Sequence, residues 1–335
     1  MRKYCFALLA AAAVMVGCSK EDIPSESAGI PMTINVSIGD AATKTTYTPD
    51  GGALKVEWEA GDQISVVSIG SDNIAKTCDT FTTTEGGSSA SFSGTYTGAE
   101  DAEIIKVFYP ALTTTGTISD VTGWATASVS GQFTSTPRFV ISNSNIYCRN
   151  NFAYANQSED DDPSHLKYYD SMSANLASID DLADVTLAKH SSVIKLIINT
   201  SNIPDGTLMK TAMIKNTIGS KSVFRVADWG WAYQDLDFAR NAATHPNAII
   251  YLGDNTVGSG SSLSVTGITK TAGDNTLVVY IPIMAGATMT AGDSYEISVG
   301  TGEAGTNYYT KTVTLPSNIV IPMGSCYTLS ATVSE

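Results

Sequence analysis

The stretch Ile30-Pro-Met-Thr-Ile-Asn-Val-Ser-Ile38 places an apolar residue at every second position. Successive side chains of a strand point to opposite faces, so Ile30, Met32, Ile34, Val36 and Ile38 share one face. On a helix the same spacing would scatter them around the cylinder, so the pattern reads as a half-buried strand. Pro31 has no N–H, which a strand start or an edge tolerates. Short runs of the same kind recur: Leu54, Val56 and Trp58, then Ile64–Ile69, Ile104–Tyr109, Val193–Ile198, Thr276–Ile283, Tyr308–Leu315 and Tyr327–Val333. Gly, Asn, Asp or Pro punctuates nearly every gap. Thr, Ser, Val, Ile and Tyr abound while strong helix formers are scarce. The chain reads as all-β, built from sandwiches or barrels.

The segment before this strand has another purpose. Arg2 and Lys3 precede the unbroken apolar run Phe6–Val16. A secretory signal has a charged start, roughly 7–15 apolar residues and a small-residue cleavage site. A spanning helix needs about 20 apolar residues. Met15-Val16-Gly17-Cys18 resembles a bacterial lipobox, in which cleavage between Gly17 and Cys18 leaves an acylated cysteine at the mature N-terminus. Ser19-Lys-Glu-Asp22 then resembles the surface-export signal of some Gram-negative lipoproteins, and several acyl chains together hold a protein stably at a membrane. The expected organisation is a signal peptide over 1–17, a tether over 18–29, one β-sandwich domain over 30–184 and a second over 185–335. The acidic run Glu159–Asp162, near the expected join, reads as a solvated loop.

The chain has 33 acidic against 19 basic residues, a net charge of −14, which argues against nucleic-acid binding. With Cys5 and Cys18 set aside, Cys78, Cys148 and Cys326 remain, too few for a disulfide framework. Either one pair and a free thiol or three buried thiols fits that count. Catalytic signatures are absent from the sequence. His165, His190 and His245 form no metal-binding spacing, and there is no nucleophile elbow, Walker loop or dinucleotide fingerprint. No enzyme activity, metal or cofactor is expected. Trp229, Trp231 and Tyr233 would share one face of a strand, as a platform for sugar rings or a protein partner, or as core filling. Ala-Gly-Asp occurs three times ahead of an apolar strand, at 60–62, 272–274 and 291–293.

Several motifs in order resemble the fimbrillin-like family of type V pilus lipoproteins. They are Thr43-Lys44-Thr45; Val56-x-Trp58-x-x-Gly61-Asp62-x-Ile64-x-Val66; Ser91-Phe92-Ser93-Gly94; Val107-Phe-Tyr-Pro110; Leu187-Ala-Lys-His190-Ser-Ser-Val-Ile-Lys-Leu196; and Ile321-Pro-Met-Gly324-Ser-Cys-Tyr327-Thr-Leu329. The resemblance implies two tandem transthyretin-like β-sandwich domains on a lipid anchor at the outer membrane surface. It also implies cleavage after a basic residue that follows the first strand, for which Lys44 is the candidate. The displaced strand Ile30–Ile38 would be replaced by a strand from another pilus subunit. No donor segment follows the Tyr327–Val333 strand, so a tip, accessory or anchor subunit in cell adhesion is the expectation. A surface lipoprotein that binds glycans through Trp229, Trp231 and Tyr233 is the alternative.

Overall fold

A computed structural model describes residues 29–39, 46–50, 53–70, 75–98, 104–111, 138–142, 145–149, 155–218, 223–227, 231–232, 243–253, 256–257, 263–284, 286–302 and 307–335. Among these residues the regular structure is all β, apart from two short 3-10 turns, Ser164–Tyr168 and Ile179–Ala183. Gly17, Cys18, Lys44, Trp229 and Tyr233 lie outside the described residues.

In the first half, hydrogen bonding runs unbroken around seven strands. The spatial order is Ile30–Ile38, Asp184–Lys189, Met172–Leu176, Ile104–Tyr109, Gln63–Ile69, Ala75–Thr83 and Ser89–Tyr96, which pairs again with Ile30–Ile38. The ring is thinnest where Ala75–Thr83 meets Ser89–Tyr96, at Thr82↔Ser93 and Thr83↔Phe92. Ile34, Val36, Trp58, Ile64, Val66, Phe81, Phe92, Val107, Val185 and Leu187 fill the interior. Asp184–Lys189 is a wall of the first ring, whereas Asn156–Gln157 belongs to a sheet of the second half, so the chain passes between the halves more than once. Asp184–Lys189 pairs in parallel with Ile30–Ile38, a partner remote in sequence.

The second half is two sheets facing one core. One takes the order Asn156–Gln157, Asn247–Leu252, Leu208–Asn216, Ser294–Thr301 and Asn307–Thr314; the other takes Thr276–Met284, Ser191–Asn199 and Cys326–Thr332. Leu196 and Ile198 from one sheet meet Ile214, Ile250, Ile297 and Val299 from the other.

The repeated Ala-Gly-Asp is the same turn each time. Gly61, Gly273 and Gly292 have φ of 98°, 81° and 82°, a region that favours glycine. In each turn the aspartate N–H returns to the carbonyl three residues earlier: Asp62 to Glu59, Asp274 to Thr271 and Asp293 to Thr290. Two of the turns also share their wider setting. Gly61 N–H donates to Thr83 O and Thr83 N–H to Asp62 O; Gly292 N–H donates to Leu315 O and Leu315 N–H to Asp293 O. Both halves therefore contain the same unit, a glycine turn feeding a strand whose hairpin partner returns to the turn.

Candidate functional site

The site is the slot that holds the first strand. Ile30–Ile38 runs antiparallel to Ser89–Tyr96 over eight positions, from Ile30↔Tyr96 to Ser37↔Ser89. On its other side it pairs in parallel with Asp184–Lys189 over four, from Asn35↔Asp184 to Ile38↔Leu187. The walls present Ala90, Phe92, Tyr96, Val185 and Leu187 to the interior, and Leu182 plugs it from the 3-10 turn. Ile34 and Val36 are fully buried between them, and Met32 and Ile38 pack half-buried against the same cluster. Ile30 is 46% exposed. It shares the inward parity of the other four but is paired at the end of the ladder, opposite Tyr96. The apolar plug is thus four residues instead of the five the alternation suggests.

One tie to the strand is specific. The buried Trp58 indole N–H donates to Val36 O at 3.2 Å. The ring is held edge-on by Phe92 and Tyr109, with centroids at 5.0 and 5.1 Å. Trp58 was legible as an inward residue, but its hold on the first strand was not. Gly94, opposite Met32, leaves room for Phe81: a Cβ there would meet that ring and Thr80 O at 2.8 Å. The outer face is held by polar contacts, Thr33 Oγ1 with Ser93 Oγ at 3.3 Å, Asn35 Nδ2 donating to Asp184 Oδ1 at 3.1 Å, and Ser37 Oγ with Thr186 Oγ1 at 3.1 Å. Such exposed contacts set register more than stability.

Next to the slot, the outer surface carries a trough of about 870 Å³ lined by residues that include Ser173, Asp180, Asp181, Asp184, Thr186 and His190. Ser173 Oγ and His190 Nε2 stand 2.7 Å apart. Burial pushes the His190 pKa down to about 3. An imidazole held that acidic accepts a serine proton poorly, so the pair suits a structural hydrogen bond better than nucleophile activation.

The remaining candidates are placed as follows. Trp231–Ala232 pairs with Tyr147–Cys148, and no more of the aromatic platform falls among the described residues. Cys78 and Cys326 are free and half-buried, and burial pushes both thiols up to about 11, away from reactive thiolate. The side chain of Cys148 is outside the description. His165 is buried, with Nε2 2.8 Å from Tyr280 O.

No family model matches the chain, and no curated protein does. Solved structures that it is similar to include fimbrial and cell-adhesion proteins. A candidate cell adhesion protein from Bacteroides ovatus is 12% identical, with 91% of this chain and 92% of that chain covered and a TM-score of 0.44. Another from Bacteroides uniformis is 14% identical, covering 93% and 94%, at a TM-score of 0.38. The fimbrial anchor protein Mfa2 from Porphyromonas gingivalis is 11% identical, covering 84% and 82%, at 0.30.

Proposed function

We propose that this chain is a surface lipoprotein, anchored in the outer membrane through Cys18, that serves as a non-enzymatic fimbrial subunit in adhesion. Its place is a tip, accessory or anchor position, and its two halves are tandem transthyretin-like sandwiches. The observation that carries the reading is the slot. The first strand is a plug between two walls, which it pairs with over eight and four positions, and neither wall is joined to it by a hairpin. Ile34 and Val36 fully buried, with Met32 and Ile38 half-buried, contribute roughly 5–8 kcal/mol. That is comparable to the whole stability of an ordinary domain, about 5–15 kcal/mol. An emptied slot therefore demands another strand. The refilling strand comes from another pilus subunit, with backbone hydrogen bonds giving affinity and the pockets of Met32, Ile34, Val36 and Ile38 giving specificity.

The test is mass spectrometry of the mature N-terminus on intact cells, in surface-shaved and sheared fractions. A start at Thr45 in the sheared fraction supports strand removal after Lys44 and assembly. An acylated Cys18 as the sole start, in a protein absent from sheared material, overturns strand exchange. Cys18→Ala should abolish lipidation and membrane fractionation; unchanged fractionation would sink the anchor.

A further inference from the structure

The strand Thr276–Met284 presents a hazard. Its sequence, TLVVYIPIM, carries no charge, and it pairs with Ser191–Asn199 over nine positions on one side only. Among the described residues its other edge pairs with no strand. A long, apolar, uncharged edge is a template for pairing with another chain.

Here that edge is occupied by side chains. By the alternation of the ladder, the free edge is formed by the backbone of Thr276, Val278, Tyr280, Pro282 and Met284. Thr276 N–H donates to Asp274 Oδ1 at 3.1 Å. Val278 N–H donates to Asp160 Oδ1 at 2.6 Å. Tyr280 N–H donates to Gln157 Oε1 at 2.9 Å. Pro282 has no N–H to offer. Two of the acceptors are taken as well. Val278 O receives Gln157 Nε2 at 2.8 Å and Asp161 N–H at 3.1 Å. Tyr280 O stands 2.8 Å from His165 Nε2. Burial holds the His165 pKa near 4, so at neutral pH the ring is neutral and its one N–H serves this contact, the shorter of its two to carbonyl oxygens. Tyr280 OH donates to Asp161 Oδ1, and Lys195 Nζ lies 3.6 Å from the same carboxylate oxygen. The acidic run Glu159–Asp162, an exposed turn as expected, is thus fixed along a strand edge, with Asp161 at a left-handed φ of 51°.

We propose that the segment 157–165 is an edge guard, which keeps Thr276–Met284 from pairing with the same strand of a second copy of this chain. A second copy is the partner because the strand's own sequence has no charge to oppose self-pairing about a two-fold axis. A covering strand would have presented a new edge of its own. Side-chain acceptors end the sheet, and the exposed carboxylate of Asp160 places like charge where another such edge would approach. The inference does not depend on whether the first strand is removed.

The experiment is Gln157→Ala/Asp160→Ala in the full chain. Hydrogen exchange at the Val278 and Tyr280 amides should quicken on the order of tenfold in dilute solution. Analytical ultracentrifugation at higher concentration should show twice the monomer mass, and adding Val278→Pro should restore the monomer by removing an edge donor. A chain with open amides that stays monomeric overturns the proposal. So do amides that stay protected in the double variant, or a dimer that Val278→Pro leaves intact. If the double variant does not fold, Asp160→Ala alone is put through the same measurements, with the same results expected and the same results decisive.

Discussion

Ile34 is the most direct probe of the slot. It is fully buried at the middle of the first strand, opposite Phe92 on one wall. Ile34→Ala removes three carbons from a ring closed on all sides, so collapse around the gap is restricted. Buried Ile→Ala changes cost about 2–5 kcal/mol, made up of lost transfer energy and the cavity left behind. A loss of about 3 kcal/mol lowers Tm by roughly 6–12 °C for a domain of this size. The assay is urea unfolding, in which the midpoint should fall with little change in slope. The control is Thr33→Ala on the outer face, where one exposed hydroxyl contact at 3.3 Å is lost and the change should stay within about 0.5 kcal/mol. If Ile34→Ala and Thr33→Ala behave alike, the inward face of the strand does not fill the ring, and the account of a plug is wrong.

Gly94→Ala should destabilise by about 1–3 kcal/mol, because its Cβ would press on the Phe81 ring and Thr80 O; an unshifted thermal midpoint would refute the close approach. Stability should fall as pH drops from about 6.5 towards 4. His165 and His190, with pKa values near 4 and 3, stay neutral in the folded chain while the unfolded chain takes up protons. Above that window both are neutral in either state, so His165→Gln/His190→Gln should flatten the profile within it and leave it unchanged above, as read from urea midpoints across pH. Asp170→Ala should cost about 3–5 kcal/mol, since it takes from the buried Lys189 ammonium a carboxylate 2.9 Å away. Replacing both partners by apolar residues should cost much less, and equal losses would argue against the ion pair as the cause.

Strand periodicity made much of this legible. The alternation through Ile30–Ile38 marked both the element and its buried face, and the three Ala-Gly-Asp triplets marked turns with left-handed glycines. What failed to show was anything that depends on a partner remote in the chain. Asp184–Lys189 looked like the start of a second domain because its parallel neighbour lies some 150 residues earlier. Glu159–Asp162 is the exposed turn that its charge suggests, but composition could not report the edge N–H group that Asp160 meets. Ile30 carried the right parity, and only its place at the end of the ladder, opposite Tyr96, explains its exposure.

The segment from Asp184 to Asn199 explains why the slot has a direction. Its two strands are separated by His190 alone, and each has a parallel neighbour, Ile30–Ile38 in the first half and Cys326–Thr332 in the second. Parallel strands cannot be joined by a tight turn. Both neighbours are therefore held by ladder bonds and side chains, with no hairpin tying them to this segment. The segment itself is fixed at its middle: His190 N–H donates to Ser171 O at 2.8 Å, and Asp170 receives Lys189 Nζ at 2.9 Å and Ser191 Oγ at 3.1 Å. A strand that reproduces the ladder of Ile30–Ile38 runs parallel to Asp184–Leu187 and antiparallel to Ser89–Tyr96. A strand of the opposite sense could meet the same apolar pockets but not the same ladder. Reversing the sequence of Ile30–Ile38 preserves its apolar alternation while putting proline, which has no N–H, at the place of Ser37 in the ladder, so a reversed peptide should compete for the emptied slot less well than the native one. Equal competition would mean that hydrophobic filling alone selects the strand.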